Sequence, residues 1–503
     1  MPAGSDMKKR ASITIFMIMS LTMVMSLFFS MSEVVRYFCM KSTADVLAAS
    51  AAQSGLGDYN RLLYEKYGIL AVDMGYGSAD ADDEKFVNRV SAYASCGGNP
   101  YQKEGLINYV NLMRMDPTDT YLSEVTLLTD YSGAAFMKEA SIQEVYDIPE
   151  STVKKWQEAG DAAAGIKVSK APEVVENMTD VVASGKGRSG TKRNPQKDRD
   201  ISLPSQTGDD ESSNLIEAVD EFRKRGVLSQ VMGSGMTVSA SHIDTTKAVS
   251  KRTLDSGSGD EKFLTVKDGL LYKLYLIDHM SSYTKQKDRR ALSYELEYII
   301  CGKDSDEENL RSVVKRLLAL REAENSLALL KDSVRRHEAE SMAAAASMAI
   351  ANPELTPIIT AAIIAAWAYV ESVLDVRLLL SGGKVSLVKS PANWTSELAM
   401  LPEYFDTDIK ARDDPAGIDY SGYMFALLSA TDHKRLGLRP LDVMEAELHA
   451  TEDYENVMMD NMMVEAKYNV TMTGAPLFLS LAPLISTNLS SYEFVEEKLL
   501  SYL

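Results

Sequence analysis

The sequence lacks the residue groupings from which chemistry is usually built. Its five histidines, His242, His279, His337, His433 and His449, never fall in HxxxH or HxH spacing, and none stands close to a cysteine. No metal-ligand set is therefore legible along the chain, and no metal or cofactor is expected. There is no GxSxG elbow and no GxGxxG following a strand, so neither a hydrolase nucleophile nor a dinucleotide fingerprint is present. The stretch "GKGRSGTK" has Lys and Thr in the wrong order for a phosphate loop and no apolar strand leading into it. Cysteine is scarce: Cys39, Cys96 and Cys301 are odd in number and far apart. That excludes a disulfide framework and a CxxC site, and leaves open only a Cys96–Cys301 pair. Basic residues are outnumbered, giving a net charge of −19 over 503 residues. With no cationic excess to neutralise phosphates, a nucleic-acid partner is not expected. No catalytic residue can be assigned, and the reading is of a chain that is not an enzyme.

What the sequence does have is a long run without charge. From Ala11 to Ser32 no ionisable residue occurs, and about 20 residues at 1.5 Å each cross roughly 30 Å of hydrocarbon. The run is too long for a secretory h-region, and the small-residue site Ala49-Ser50-Ala51 lies well past its end. A retained membrane anchor is expected. Lys8, Lys9 and Arg10 stand immediately before it, and by the positive-inside tendency they place residues 1–10 in the cytoplasm and the bulk of the chain outside. The helical pattern then continues through residues 33–55. Ala44, Leu47, Ala48 and Ala51 recur at i, i+3, i+4 and i+7, which predicts a small-residue face packed against protein. Gly55 and Gly57 end it. Glu33, at the membrane edge, is expected either to sit at the interface or to pair with a cation, and Arg36 is within reach on the same helix.

Beyond the stem, residues 56–182 read as a first α+β segment. A buried strand is expected at Ile69–Val72, a strand over Tyr121–Asp130 and a helix over Gly133–Tyr146. Asp80, Asp82, Asp83 and Glu84 lack calcium-loop spacing and read as a solvated helix start. Residues 183–259, poor in apolar side chains and rich in Ser, Gly and charge, read as a flexible low-complexity insertion. Residues 260–503 read as helix-rich. Within them, Leu292–Gly302 alternates like a strand, and Ile418–Ala450 reads as two helices joined around Gly437. Two C-terminal strands are expected, in "AKYNVTMTGAPLFL" and "SSYEFVEEKLLSYL". A second apolar stretch begins at Pro357, but its uncharged core ends at Val370, too short to span a bilayer unaided. It is expected to be a buried helix in which Glu371, Asp375 and Arg377 form a polar network. The fold class expected is α+β: a long N-terminal transmembrane stem helix, then a mainly helical extracytoplasmic region with a modest sheet.

Two resemblances follow. The stretch "ASITIFMIMSLTMVMSLFFSMSEVVRYFCMKSTADVLAASAAQ" resembles the N-terminal region of TadE/TadG-like pseudopilins of Tad/Flp pilus systems. There an apolar helix ends in Glu followed by Arg or an aromatic, and an Ala-Asp-Ala-Ala-rich helix comes next; Glu33, Arg36 and Ala44-Asp45 match this pattern. No Glu stands early in the apolar run, where Thr14 and Ile15 fall, and no Gly directly precedes it, so the resemblance implies a minor, unprocessed component. Over longer distances, "LYEKYGILAVD", "LSYELEYIICGKDSDEENL", "AWAYVESVLDVRLLLSGGKVSLVKS", "IDYSGYMFALLS" and "RPLDVMEAEL" resemble the uncharacterised DUF5702 family of clostridial and related Gram-positive bacteria. Together the resemblances imply a membrane-anchored structural or assembly component of a Tad/Flp-type pilus or related secretion apparatus. Its partners would be other membrane-anchored components meeting the stem at Glu33, Arg36, Ala44 and Asp45, and membrane lipid. A single-pass binding or sensor module is the alternative, and a membrane-anchored enzyme a more distant one.

Overall fold

Between Ala11 and Ser54 the chain holds neither proline nor glycine, and a single helix, Ala3–Leu56, takes up the whole stretch. The structure is a computed structural model that describes residues 3–80, 82–98, 113–143, scattered positions between 149 and 161, 211–288, 290–349, 351–481 and 491–503. The side chains of Lys8, Lys9, Arg10 and Cys96 lie outside the described residues, so neither the basic flank nor a Cys96–Cys301 pair is placed. The chain divides into two compact units that are not consecutive in sequence. The first combines residues 1–143, 253–265 and 448–503; the second combines 144–252 and 266–447.

The first unit sets the stem helix on a four-stranded antiparallel sheet. Its strands are β1 (Val72–Asp73), β2 (Asp116–Leu127), β3 (Met462–Gly474) and β4 (Tyr492–Ser501), and β3 pairs with each of the other three. Both C-terminal strands expected from sequence are therefore present. Of the strand expected at Ile69–Val72 only Val72 lies in β1, whose two residues pair with Met463 and Met462 of β3; a short helix, Arg61–Tyr67, capped by Asn60 and Gly68, comes before it. Alternation along β3 is clean. Ala466, Tyr468, Val470 and Met472 enter the core, while Glu465 and Lys467 face outward to Lys262 and Glu124. Against the inner face pack Ala44, Leu47, Ala48, Ala51 and Ala52 of the stem, with Phe86 and Val90 of the helix Asp83–Gly98. Alanines there let the helix axis approach the sheet, and Gly474 completes the fit: a Cβ at that position would stand 2.1 Å from the Met40 Cε. The acidic stretch before Phe86 is indeed a helix start, with the Asp82 Oδ1 accepting from the Glu84 N–H at 3.0 Å.

After β2 the chain turns through Tyr131, Ser132 and Gly133, all at positive φ (50°, 62° and 84°), before the helix proper. Two of these are not glycine, so the turn is strained and must be held from outside. Asp130 holds it. Its Oδ2 accepts from the Leu127 N–H at 2.7 Å and its Oδ1 from the Gly257 N–H at 2.9 Å, binding the 253–265 segment to the edge of β2. The following turns bury Glu139, whose Oε1 accepts from the Leu70 N–H at 2.9 Å. Burial pushes this carboxyl up to about 8. The folded chain thus holds the proton more tightly than an unfolded glutamate does, so the contribution is intact below the ordinary carboxylate range and is lost as pH rises through about 8. Glu139→Gln, neutral at every pH, should match the parent in thermal stability near pH 5. At about pH 9 it should exceed the parent by roughly 4 kcal/mol; equal melting curves for the two proteins at both pH values would refute this.

The second unit is helical. The helix Thr356–Leu380 is its centre, flanked by Asp306–Lys331, Ser333–Ala349 and Glu211–Arg223. By length and composition both this helix and the stem suffice to cross a membrane. However, 61% of the most apolar window of the first is buried, against 6% for the stem. The Pro357 stretch is therefore a core helix, as its interrupting charges imply. Three expectations are corrected. Residues 211–231 of the stretch read as an insertion carry two helices, Glu211–Arg223 and Val227–Val231, whose Val219, Phe222 and Val231 are buried. Leu292–Gly302 is not a strand but holds the helix Glu295–Cys301, buried on nearly every side, so its alternation carries no facing information. It stops at Gly302, whose φ of 65° and N–H to the Tyr298 carbonyl form a left-handed cap. Finally, Tyr420–Ser429 and His433–His449 meet at Ala430–Asp432, and Gly437 lies inside the second helix. Asp432 caps that helix by accepting from the Arg435 N–H at 3.1 Å.

Candidate stem clamp and buried charge cluster

The stem helix has two halves with opposite surroundings. From Ile13 to Phe38 most of its apolar side chains stand in the open, Phe16 at 70% and Phe38 at 63% exposure. From Met40 to Ala52 its inner face is core. Glu33 and Arg36 lie just before the changeover, one helical turn apart, and both are buried. The Arg36 Nη1 donates to the Glu33 Oε1 at 2.9 Å and to the Ala475 carbonyl at 2.9 Å. The other carboxylate oxygen, Oε2, accepts from the backbone N–H of Leu477 (3.1 Å), Phe478 (2.5 Å) and Leu479 (3.3 Å). These are main-chain donors without a helical acceptor at the start of a short turn of helix, Phe478–Leu481, in the β3–β4 connection. Tyr37 stacks beside them, its ring centroid 5.3 Å from Tyr492 and 5.4 Å from Phe494. The pair thus forms a clamp that fixes the β3–β4 connection to the stem.

The four stem residues expected to meet a partner are all engaged within their own unit. Glu33 and Arg36 hold the connection, Ala44 is fully buried under the sheet, and Asp45 pairs with Lys498 of β4. The i, i+3 relation of Glu33 to Arg36 was legible. Their main-chain partners more than 400 residues away were not, because nothing in the local pattern points to them.

In the second unit the structure brings Glu371 and Asp375 together on one face of the central helix but leaves Arg377 out. The cations are Lys389 and Arg321. Lys389 contacts Glu371 and lies 2.6 Å from the Asp375 Oδ1; the Arg321 Nε donates to the Asp375 Oδ2 at 3.1 Å. All four side chains are at most 2% exposed. Two acids and two bases cancel, and further hydrogen bonds enclose them. Glu371 accepts from the Thr395 and Ser396 N–H groups at 3.0 and 2.8 Å and from the Ser396 hydroxyl at 2.6 Å, which itself accepts from the Trp367 indole at 2.9 Å. Arg321 donates to the Ser386 and Leu387 carbonyls and to the Tyr423 hydroxyl, and Asn325 bridges Ser372 and Asp375. Burial alone would push the Asp375 carboxyl up, but Arg321 and Lys389 hold it below the usual range. The Asp375 carboxylate is thus kept ionised, and both acids are out of solvent, which suits a structural tie between the central helix, Asp306–Lys331 and the 386–396 loop.

Arg377 points away from this cluster, since one helical turn separates Glu371 from Asp375 while Arg377 falls on another face. Its guanidinium donates to the carbonyls of Gln230, Tyr404, Asp406 and Ile409 at 2.5 to 3.0 Å. Burial draws it down to about 10. Among the described residues no group of three or more His, Cys, Asp or Glu side chains is arranged to hold a metal ion.

A family model described as a family of unknown function (DUF5702) matches residues 205–474, more than half of the chain. The match takes in the charge cluster and β3 but not the stem. No curated protein and no solved structure matches.

Proposed function

The chain belongs to the DUF5702 family, and from that premise we propose that it is a membrane-anchored structural or assembly component rather than a catalyst. The observation that carries this reading is the division of the stem: an exposed apolar half long enough to cross a bilayer, continuous with a half built into a folded unit. A long helix seated by its outer half on an antiparallel sheet agrees with the resemblance to TadE/TadG-like pseudopilins. That likeness supports a place in a Tad/Flp-type pilus or related secretion apparatus. Lys8, Lys9 and Arg10 favour a cytoplasmic N-terminus, with both units on the outer side.

Protease added to intact protoplasts should remove nearly the whole chain; survival of the full-length band would sink the topology. Because Ala44 and Asp45 face or pair with the chain's own sheet, a partner stem must be met elsewhere. Val35 and Val46, at 63% and 61% exposure, are among the open positions. A photo-crosslinker at either residue should capture other single-pass membrane proteins, whereas one at Ala44 should react only within the chain. Capture of soluble substrates alone at Val35 and Val46 would overturn the assembly reading.

A further inference from the structure

The exposed apolar belt does not stop where the uncharged run stops. Val34, Val35 and Phe38 continue it past Glu33, and the two charges inside it, Glu33 and Arg36, neutralise each other in buried positions. From Ala11 to Met40 the helix therefore presents no net charge to its surroundings. At 1.5 Å per residue that length is about 45 Å, the thickness of a bilayer with its interfacial layers rather than of the hydrocarbon alone. Glu33, about 33 Å along this span from Ala11, then lies at the outer edge of the hydrocarbon, and so does whatever is bound to it. What is bound is the β3–β4 connection, through the N–H groups of Leu477, Phe478 and Leu479. The sequence from Gly474 to Tyr492 contains no charged residue. Leu477, Phe478 and Leu479 are only half-buried. An apolar groove of about 400 Å³ runs between this connection and the stem, lined by Val34, Tyr37, Phe38, Leu479 and Tyr492 among others. Irregular backbone enters an apolar medium only when its polar groups are satisfied, and here the Glu33 carboxylate satisfies three successive donors.

From this we infer that residues 475–479 form a second lipid-contacting element, held by Glu33 at the boundary between the acyl chains and headgroups of the outer leaflet. The inference rests on the proposed membrane-spanning role of the stem. The partner is the bilayer itself, because the surface is continuous with the apolar belt and carries no charge for a soluble protein to recognise.

The test uses the full-length chain with Cys39, Cys96 and Cys301 changed to Ser, reconstituted in phosphatidylcholine/phosphatidylglycerol vesicles. Single cysteines at Leu477, Phe478, Val24 or Val388 carry an environment-sensitive fluorophore, and spin-labelled lipids serve as quenchers. Labels at Leu477 and Phe478 should be blue-shifted and quenched by shallow spin-labelled lipid to an extent comparable with Val24 under deep-labelled lipid, while Val388, exposed in the second unit, stays unquenched. If Val24 is quenched and Leu477 and Phe478 behave like Val388, the second contact is wrong and the stem reading stands. If Val24 is also unquenched, both fall. Adding Glu33→Ala should abolish quenching at Leu477 without changing it at Val24; unchanged quenching at Leu477 would remove Glu33 from the positioning role.

Discussion

Asp375→Ala should destabilise the second unit by about 3–5 kcal/mol, the usual penalty for breaking a buried ion pair from one side. The substitution removes one negative charge from a cluster that is balanced and fully enclosed, leaving Arg321 and Lys389 to share Glu371. The Arg321 Nε and the Asn325 amide also lose their acceptor. The penalty comes mainly from this stranded positive charge and not from lost attraction, and that origin can be checked. Lys389→Met alone strands the acids and should cost a similar amount, whereas Asp375→Asn with Lys389→Met restores charge balance at nearly constant volume. The double variant should be less destabilised than either charge-breaking single variant. All three tryptophans of the chain, Trp156, Trp367 and Trp394, belong to the second unit. Tryptophan fluorescence in thermal or urea unfolding of the detergent-solubilised protein therefore reports on this unit. A double variant whose loss equals the sum of those of Asp375→Asn alone and Lys389→Met alone would show that the cluster is not acting as one balanced group.

The second large effect is expected at the clamp. Glu33→Ala takes the acceptor away from the Leu477, Phe478 and Leu479 N–H groups and the counter-charge away from Arg36. Unmet buried donors cost about 1–3 kcal/mol each when nothing replaces the acceptor, and a stranded cation a few more; relaxation of a surface connection lowers the sum to roughly 3–4 kcal/mol. The measurable consequence is local. Proteolysis should cut the β3–β4 connection in Glu33→Ala much faster than in the parent, with tryptophan fluorescence of the second unit unmoved. Glu33→Gln keeps an acceptor oxygen and should fall between the two. An unchanged cleavage rate in Glu33→Ala would mean that the connection is held by apolar contacts alone.

The same two sites show how far sequence reasoning carries. The stem, its two halves and the burial of the Pro357 helix were legible because each is written in a continuous pattern: absence of charge, small residues at helical spacing, charges interrupting an apolar run. β3 and β4 were legible for the same reason. The clamp was half legible, as Glu33 and Arg36 are neighbours on one helix, but main-chain donors have no sequence signature. The cluster was read with the right acids and the wrong base. Arg377 is close in sequence, whereas Lys389 and Arg321 arrive from a loop and from another helix, and only packing joins them. Errors in secondary structure arose where local signals competed. Leu292–Gly302 alternates but is a helix closed by Gly302, and at 418–450 the break falls at Asp432, which caps the second helix, and not at Gly437.

The order in which the first unit is assembled from its parts has a temporal consequence. Arg36 and its acceptor at Ala475 are separated by 439 residues, and both parts of the second unit lie between them. At about 5–20 residues per second, a ribosome needs roughly 20 to 90 seconds to cover that distance. For all of that time the stem helix is already made while β3 and β4, the strands that shield Ala44, Leu47, Ala48 and Ala51, do not yet exist. The second unit can close during this interval, whereas the first can form around its stem only the contacts with the helix Asp83–Gly98. The nascent chain therefore passes through a long-lived stage in which its membrane-proximal apolar face has at most the helix Asp83–Gly98 as cover, until residues 462–503 are made.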